Sequence, residues 1–246
     1  EQKGKMPVIV NIHGGGWVYG NKEIYQFYGM SLAQKGFAVV NFNYRLAPEN
    51  KFPAQLCDIN SVVEWMYQNQ DTYGLDMERV FMVGDSAGAH LCGLYSAICT
   101  DADYAAEYPF TVPHRFIPTA VALNCGVYCP LGKKNVMGSE EDKDLMEDLL
   151  PEKGSERERK MVNVTDHVNP HFPPVYLMTC VGDFCYLQAF LLEEELKKQG
   201  VEYTFRIYGT EEKPLYHVFH VNMKEEAGAE CNTQECEFFQ RKGVND

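Results

Sequence analysis

The chain has 246 residues, a length typical of one domain with a sizeable hydrophobic core. Its net charge of -13 at pH 7 argues against a nucleic-acid-binding surface and against a polybasic patch for membranes. It contains no apolar run long enough to span a membrane, and its polar first residues lack the hydrophobic region of a signal peptide.

The chain contains nine cysteines, an odd number, and no Cys-x-x-Cys pairs. Several of them fall inside predicted strands or helices, where buried thiols are common. Without paired Cys-x-x-Cys motifs, a structural zinc site is not expected. Together these features favour a protein of the reducing cytoplasm.

Six apolar runs alternate with segments of helical periodicity. The predicted strands cover 7–12, 37–44, 79–83, 117–123, 174–180 and 202–208. The predicted helices cover 22–35, 53–70, 86–100, 187–199 and about 223–240. This alternation is typical of the α/β class, with a parallel central sheet covered by helices on both faces.

Two stretches, 101–116 and 130–172, depart from this alternation. The second is long, charged and partly helical in its pattern. A solvated surface insertion would have the same pattern, but insertions of this length are usually functional. We therefore predict a single domain over 1–246 with a cap-like insertion at about 130–172.

The most informative stretch is Gly84-Asp85-Ser86-Ala87-Gly88, which follows an apolar run and leads into a helical segment. An ordinary turn before a helix could have this sequence. The Gly-x-Ser-x-Gly pattern is also that of a nucleophile elbow, whose tight turn places the serine at the N-terminus of a helix. There the helix dipole and free N–H groups favour negative charge.

A second glycine motif, His13-Gly14-Gly15-Gly16-Trp17, ends the first predicted strand. Consecutive glycines expose backbone N–H groups without side-chain cover, as an oxyanion hole requires. A phosphate-binding loop would need Lys followed by Ser or Thr after the glycines, where Trp17-Val18 stands. The two motifs, in this order and with a strand between them, form a highly specific pair.

The sequence resembles the α/β-hydrolase esterases of the hormone-sensitive-lipase-like family. Besides the two glycine motifs, the resemblance rests on Tyr44-Arg45-Leu46-Ala47-Pro48-Glu49, Gly182-Asp183 and His217-Val218-Phe219. It implies a mostly parallel sheet, a small helical cap, and neither a metal nor an organic cofactor. The family's full fold has further strands before the His-Gly-Gly-Gly strand, so we expect reduced or missing N-terminal strands and a more open pocket.

The resemblance also implies a catalytic triad in the chain order Ser, acid, His. Ser86 is the expected nucleophile, Asp183 the acid after the strand that follows the insertion, and His217 the base within a His-x-Phe motif. Helix capping is the alternative role for Asp183. His220 is the rival base, and we expect it to be a packing or supporting residue. The expected N–H donors of the oxyanion hole are Gly15, Gly16 and Ala87.

Four other polar residues near the motifs are expected to be structural. We predict an ion pair between Arg45 and Glu49 that holds their loop, and supporting roles for Asp58 and Asp85.

These residues predict a serine carboxylesterase that hydrolyses small, short-acyl esters through an acyl-enzyme intermediate. A carbohydrate-ester deacetylase or a feruloyl-type esterase fits the same motifs. A non-catalytic, ligand-binding homologue, like the plant hormone receptors of this fold that have lost the histidine, is disfavoured because His217 is present. The expected partner is a small-molecule ester, and a homodimer is suggested by analogy alone.

Overall fold

Six parallel strands form one central sheet in the computed structural model, which describes residues 4–131 and 140–244. The strands are β1 (Met6–Ile12), β2 (Ala38–Asn41), β3 (Leu75–Asp85), β4 (Ala120–Asn124), β5 (Val175–Cys180) and β6 (Tyr203–Tyr208). Their order in the sheet is β2-β1-β3-β4-β5-β6, and every neighbouring pair is parallel. The carboxyl ends of the strands therefore lie at one edge of the sheet, where α/β folds bind their ligands.

Helices cover both faces of this sheet, as the alternating pattern predicts. They are α1 (Gln26–Ala33), α2 (Ala54–Tyr73), α3 (Ala87–Thr100), α4 (Ala102–Ala105), α5 (Glu140–Leu149), α6 (Glu156–Val162), α7 (Tyr186–Gln199) and α8 (Glu226–Lys242). One apolar cluster joins α2, α3, α5 and α7 to the sheet, and a second joins α1 and α8 to its other face. None of the helices in the described ranges is long and apolar enough to cross a membrane.

The strands supply side chains to both clusters because successive residues of a strand point to opposite faces. Within β1, Val8 and Val10 belong to the first cluster, whereas Ile9, between them, belongs to the second. All three are fully buried. Each buried side chain of this kind stabilises the fold by about 1.5–3 kcal/mol, so both helical layers are firmly attached to the sheet.

The predicted elements are present, but several ends differ from the prediction. The first helix begins at Gln26 instead of residue 22, and β2 stops at Asn41 because the chain then turns into the loop that carries Arg45. The strand before the elbow begins at Leu75, four residues earlier than predicted, because its first residues pair with Met6 and Pro7 of β1.

The stretch predicted as a cap-like insertion contains α5 and α6, and its residues 132–139 lie outside the described part of the chain. The buried residues Met146, Leu149 and Leu150 join α5 to the first apolar cluster. The Phe52 N–H donates a hydrogen bond to the Leu149 carbonyl at 2.9 Å. This helix is thus packed on the loop before α2.

Candidate active site

Ser86 occupies a strained turn between β3 and α3. Its φ of 53° and ψ of -120° lie in a region that non-glycine residues rarely adopt, and such strain is concentrated at functional sites. The Ser86 N–H donates to the Asn124 carbonyl at 2.9 Å, which ties the turn to the end of β4. A Cβ added at Gly88 would lie 2.0 Å from the Ile12 carbonyl oxygen, so this position requires glycine. The turn has the geometry of the predicted nucleophile elbow.

The structure brings Asp183 and His217 together at the carboxyl ends of β5 and β6. His217 Nδ1 lies 2.6 Å from an Asp183 carboxylate oxygen. The same carboxyl group accepts hydrogen bonds from the Thr179 hydroxyl at 2.8 Å and from the Cys185 N–H at 2.9 Å. Burial alone would raise the pKa of Asp183, but its hydrogen bonds with His217, Cys185 and Thr179 lower it below the usual value. A charged Asp183 holds the proton of His217 on Nδ1 and leaves Nε2 free to accept one.

His220, the rival base, is fully buried. Its ring stands edge-on to Tyr28, with 5.5 Å between ring centroids. Burial, with a smaller contribution from the neighbouring His217, lowers the pKa of His220 to about 3, so the ring is neutral. The structure therefore pairs the acid with His217, and His220 fills the packed space behind the site.

The glycine loop after β1 turns sharply toward the elbow. Gly15 has a φ of 120°, and a Cβ there would lie 2.1 Å from the Tyr19 carbonyl oxygen. The His13 ring donates to the Gly14 carbonyl at 2.8 Å, and the Tyr44 hydroxyl donates to the His13 carbonyl at 2.9 Å. These bonds hold the loop in one shape, as pre-organised oxyanion donors require.

The residues expected to form the oxyanion hole surround Ser86. Gly16 and Ala87 border a cavity that Ser86 also borders, and Gly15 borders the adjoining cavity. Ala87 is the first residue of α3, where backbone N–H groups have no partner within the helix.

Two buried carboxyl groups lie behind the loop and the elbow. Asp85 accepts a hydrogen bond from the Tyr25 hydroxyl at 2.7 Å, and this hydroxyl in turn accepts from the Gly14 N–H at 3.1 Å. Glu235 of α8 accepts from the Asn124 side-chain amide at 2.7 Å. Burial raises the pKa of Asp85 to about 6 and that of Glu235 to about 7. The supporting role expected for Asp85 is therefore a brace beneath the glycine loop.

Glu235 is a residue that the sequence analysis missed. It links α8 to the elbow, because its partner Asn124 also accepts the Ser86 N–H through its carbonyl group. The signal in the sequence is a single acidic residue among the cysteines and phenylalanines of the buried face of α8. A buried acid without a charged partner is unusual enough to mark a supporting role.

His90 joins the glycine loop to the insertion and was also missed. Its Nδ1 accepts a hydrogen bond from the Trp17 indole N–H at 3.2 Å, so its Nε2 carries the proton and donates to the Val162 carbonyl at 2.7 Å. Burial lowers the pKa of His90 to about 4, which keeps the ring neutral. The position of His90 one helical turn after Ser86 is the sequence signal that could have indicated this contact.

The predicted ion pair between Arg45 and Glu49 is wrong. Arg45 pairs with Asp58 instead, with its guanidinium 2.9 Å from one carboxylate oxygen and its backbone N–H donating to the other at 2.7 Å. Asp58 lies in the second turn of α2, where it faces the loop, whereas Glu49 is exposed. The supporting role expected for Asp58 is confirmed.

Two cavities meet at Ser86, His217 and Tyr19. The first has a volume of about 160 Å³ and an apolar wall formed by Trp17, Val127, Leu145 and Phe184. The second, on the side of the glycine loop, has a volume of about 90 Å³. The Phe184 ring lies 4.0 Å from the His217 ring, between centroids, and forms part of the wall of the first cavity. A wider, open groove of about 440 Å³ between α2 and residues 111–114 contains none of the motif residues.

A comparison with models of protein families identifies the family of this chain. The family model described as BD-FAE matches residues 1–187 of the 246. The chain belongs to the BD-FAE family. Among solved structures, esterase B from Lactobacillus rhamnosis, inhibited by a tributyrin phosphonate, is 29% identical with a TM-score of 0.89. That comparison covers 99% of this chain and 78% of the other, and it confirms the predicted α/β-hydrolase fold.

Curated relatives point in the same direction over shorter shares of their length. Esterase LipC of Mycobacterium tuberculosis is 34% identical over 104 residues, which are 42% of this chain and 26% of the relative. An esterase of Gibberella moniliformis is 26% identical over 209 residues, which are 80% of this chain and 63% of the relative. The chain thus spans less than two thirds of these relatives.

Proposed function

We propose that this chain is a serine carboxylesterase that hydrolyses small, short-acyl esters through an acyl-enzyme intermediate. The observation that carries the proposal is the arrangement around the strained Ser86 turn. Ser86 and His217 border the same two cavities, and His217 is hydrogen-bonded to the buried Asp183. A serine hydroxyl is a weak nucleophile at neutral pH and needs such an oriented base.

The three residues of the proposed triad have distinct roles in the reaction. Ser86 Oγ attacks the ester carbonyl as His217 Nε2 accepts its proton, and Asp183 stabilises the resulting imidazolium. His217 then gives the proton to the leaving alcohol. Water, activated by the same histidine, releases the acid and restores Ser86.

The N–H groups of Gly15, Gly16 and Ala87 stabilise the oxyanion that forms during both steps. Each such donor contributes about 3–4 kcal/mol of transition-state stabilisation. Support for this assignment comes from the rigid hydrogen bonding of the glycine loop and from the position of Ala87 at the start of α3.

The size of the cavities favours short acyl groups. An apolar cavity of about 150 Å³ is large enough for benzene, so the larger cavity of about 160 Å³ accepts a group of comparable size, such as butyryl. A feruloyl group consists of a substituted benzene ring and a propenoyl chain and is therefore larger than benzene, which makes a feruloyl-type esterase the weaker alternative. The tributyrin phosphonate bound by the Lactobacillus rhamnosis esterase is consistent with this substrate class.

We propose that the insertion acts as a cap, since Leu145 of α5 lies beside Gly16 and borders the cavity of about 160 Å³. We also propose a cytoplasmic location, because the nine cysteines are an odd number and several are buried within strands and helices, as reduced cysteines often are. The negative charge favours a small-molecule partner over nucleic acid. A homodimer stays a prediction by analogy.

The test compares wild type with Ser86→Ala on p-nitrophenyl esters from acetate to laurate. We expect a maximum at acetate or butyrate in the wild type and a loss of kcat by a factor on the order of 10⁴–10⁶ in the variant. Ser61→Ala, an exposed serine of α2, is the matched control and should keep wild-type activity. Equal residual activity in wild type and Ser86→Ala would contradict the assignment of the nucleophile.

A further inference from the structure

Cys125 lies directly behind the acid and base of the proposed triad. It follows β4 with a φ of 47°, and it is 1% exposed. Its sulfur, a ring nitrogen of His217 and a carboxylate oxygen of Asp183 all lie within 4.8 Å of one another. The Cys125 thiol also donates a weak hydrogen bond to the Met178 sulfur at 3.7 Å.

We propose that Cys125, Asp183 and His217 form an inhibitory binding site for a soft divalent cation such as Zn²⁺ or Cd²⁺. Thiolate, imidazole and carboxylate are the ligands that zinc prefers in proteins. A thiolate, a carboxylate and a neutral imidazole together balance two positive charges, so the occupied site carries no net charge. This balance matters because an uncompensated charge in a buried site is costly.

The geometry requires only local movements of side chains. Zinc bonds of about 2.0–2.3 Å in a tetrahedral arrangement separate neighbouring ligand atoms by roughly 3.5 Å. His217 Nδ1 and the Asp183 oxygen, now 2.6 Å apart, must therefore separate slightly, while the Cys125 sulfur must approach them. A cation can enter along His217, which borders both cavities.

Binding at this site would stop hydrolysis by changing where the protons lie. Cys125 loses its thiol proton to solvent when it binds the cation. Coordination of His217 Nδ1 moves the proton of that atom to Nε2, the atom that must accept the proton of Ser86. The cation also occupies the Asp183 carboxylate. The inhibition rests on the proposed esterase function, whereas the binding itself does not.

Direct binding is measured with Ser86→Ala protein, which removes turnover from the experiment. Titration with Cd²⁺ is followed by the ultraviolet charge-transfer absorption of cadmium–thiolate bonds. We expect the absorption of the Ser86→Ala protein to saturate at one equivalent of Cd²⁺. The double variant Ser86→Ala/Cys125→Ala should lack this absorption. Cys57→Ser, a half-buried cysteine of α2, is the matched control and should leave this absorption unchanged. Unchanged absorption in the Cys125→Ala protein would overturn the proposal.

A second variant keeps the test decisive if Cys125→Ala does not fold. Asp183→Asn in the Ser86→Ala background removes a different ligand, and we expect the cadmium dissociation constant to rise at least about tenfold. Unchanged affinity in this variant would equally overturn the site. Folding of each variant is checked by far-ultraviolet circular dichroism before titration.

The inhibition arm uses wild type and Cys125→Ser on p-nitrophenyl butyrate. We expect Zn²⁺ to inhibit the wild type reversibly, with activity restored by EDTA, and half-inhibition of Cys125→Ser to need at least about tenfold more Zn²⁺. Equal sensitivity of the two proteins would contradict the inhibitory site. Cadmium binding without esterase activity in the wild type would instead refute the proposed function and leave the metal site standing.

Discussion

Glu235 offers the sharpest test of the polar network behind the elbow. Its carboxyl group is fully buried and accepts hydrogen bonds from Asn124 and from the Tyr28 hydroxyl, at 2.7 and 3.3 Å. The other titratable groups near it include Asp85, Cys92, Tyr176, Cys231 and Cys236. Burial, with a smaller contribution from the charge of Asp85, raises the pKa of Glu235 from 4.5 to about 7.

The raised pKa makes stability depend on pH in a defined direction. Below pH 4.5, Glu235 is protonated in both the folded and the unfolded chain, so its titration does not change the free energy of unfolding. As the pH rises from 4.5 to about 7, the unfolded chain loses this proton and the folded chain retains it, so stability falls. The difference of about 2.5 pH units corresponds to about 3 kcal/mol at 1.36 kcal/mol per unit.

Glu235→Gln removes this titration and keeps an oxygen that can accept from Asn124. We therefore expect the stability of the variant relative to wild type to rise by about 3 kcal/mol between pH 4.5 and pH 7.5. Urea unfolding of both proteins at a series of pH values measures the difference, in which contributions of the buried histidines cancel. Glu237→Gln, an exposed residue of the same helix, is the matched control. A stability difference that does not change with pH would refute the reasoning.

Three further predictions follow from the site. Asp183→Asn should lower kcat about 10⁴-fold, because an amide stabilises the wrong His217 tautomer; a loss of less than tenfold in steady-state assays would contradict the role of Asp183. Gly88→Ala should lower the free energy of unfolding, measured in urea, by at least about 4 kcal/mol, because its Cβ would lie 2.0 Å from a carbonyl oxygen. Gly36→Ala is the control: a Cβ there would have no atom within 4 Å, so the variant should lose only about 1–2 kcal/mol. Leu145→Ala should raise the ratio of hexanoate to acetate kcat/KM about tenfold by enlarging the apolar cavity, and an unchanged ratio would exclude Leu145 as a wall of the acyl site.

Much of the fold and the candidate site could be predicted because their signals are local. The elbow needs glycine where the backbone is crowded. The Gly-x-Ser-x-Gly motif therefore predicts the tight turn at Gly88, although the sequence does not show which carbonyl group crowds it. The alternation of apolar runs and helical periodicity predicted the parallel sheet. Asp183 and His217 were expected because the resemblance implies an acid after the strand that follows the insertion and a base in the His-x-Phe motif, and the structure places them 2.6 Å apart.

Other features depended on residues that are far apart in the chain. Arg45 could form an ion pair with Glu49 or with Asp58, and only the packing of α2 beside the loop decided for Asp58. The early start of β3 was hidden because Asp76, Glu78 and Arg79 interrupt its first apolar residues, and the segment becomes a strand only by pairing with β1.

By itself, the sequence predicted the fold class and the turn at Ser86, since both follow from short-range patterns of apolar residues and glycines. The expected acid and base, Asp183 and His217, came from the resemblance to a family. Only the tertiary structure decided that Glu235 supports the elbow through Asn124, and that Cys125 lies within 4.8 Å of the His217 and Asp183 ligand atoms. These groups come from different strands, loops and helices. Periodicity states which face a residue occupies, but it does not state which distant residue that face will meet.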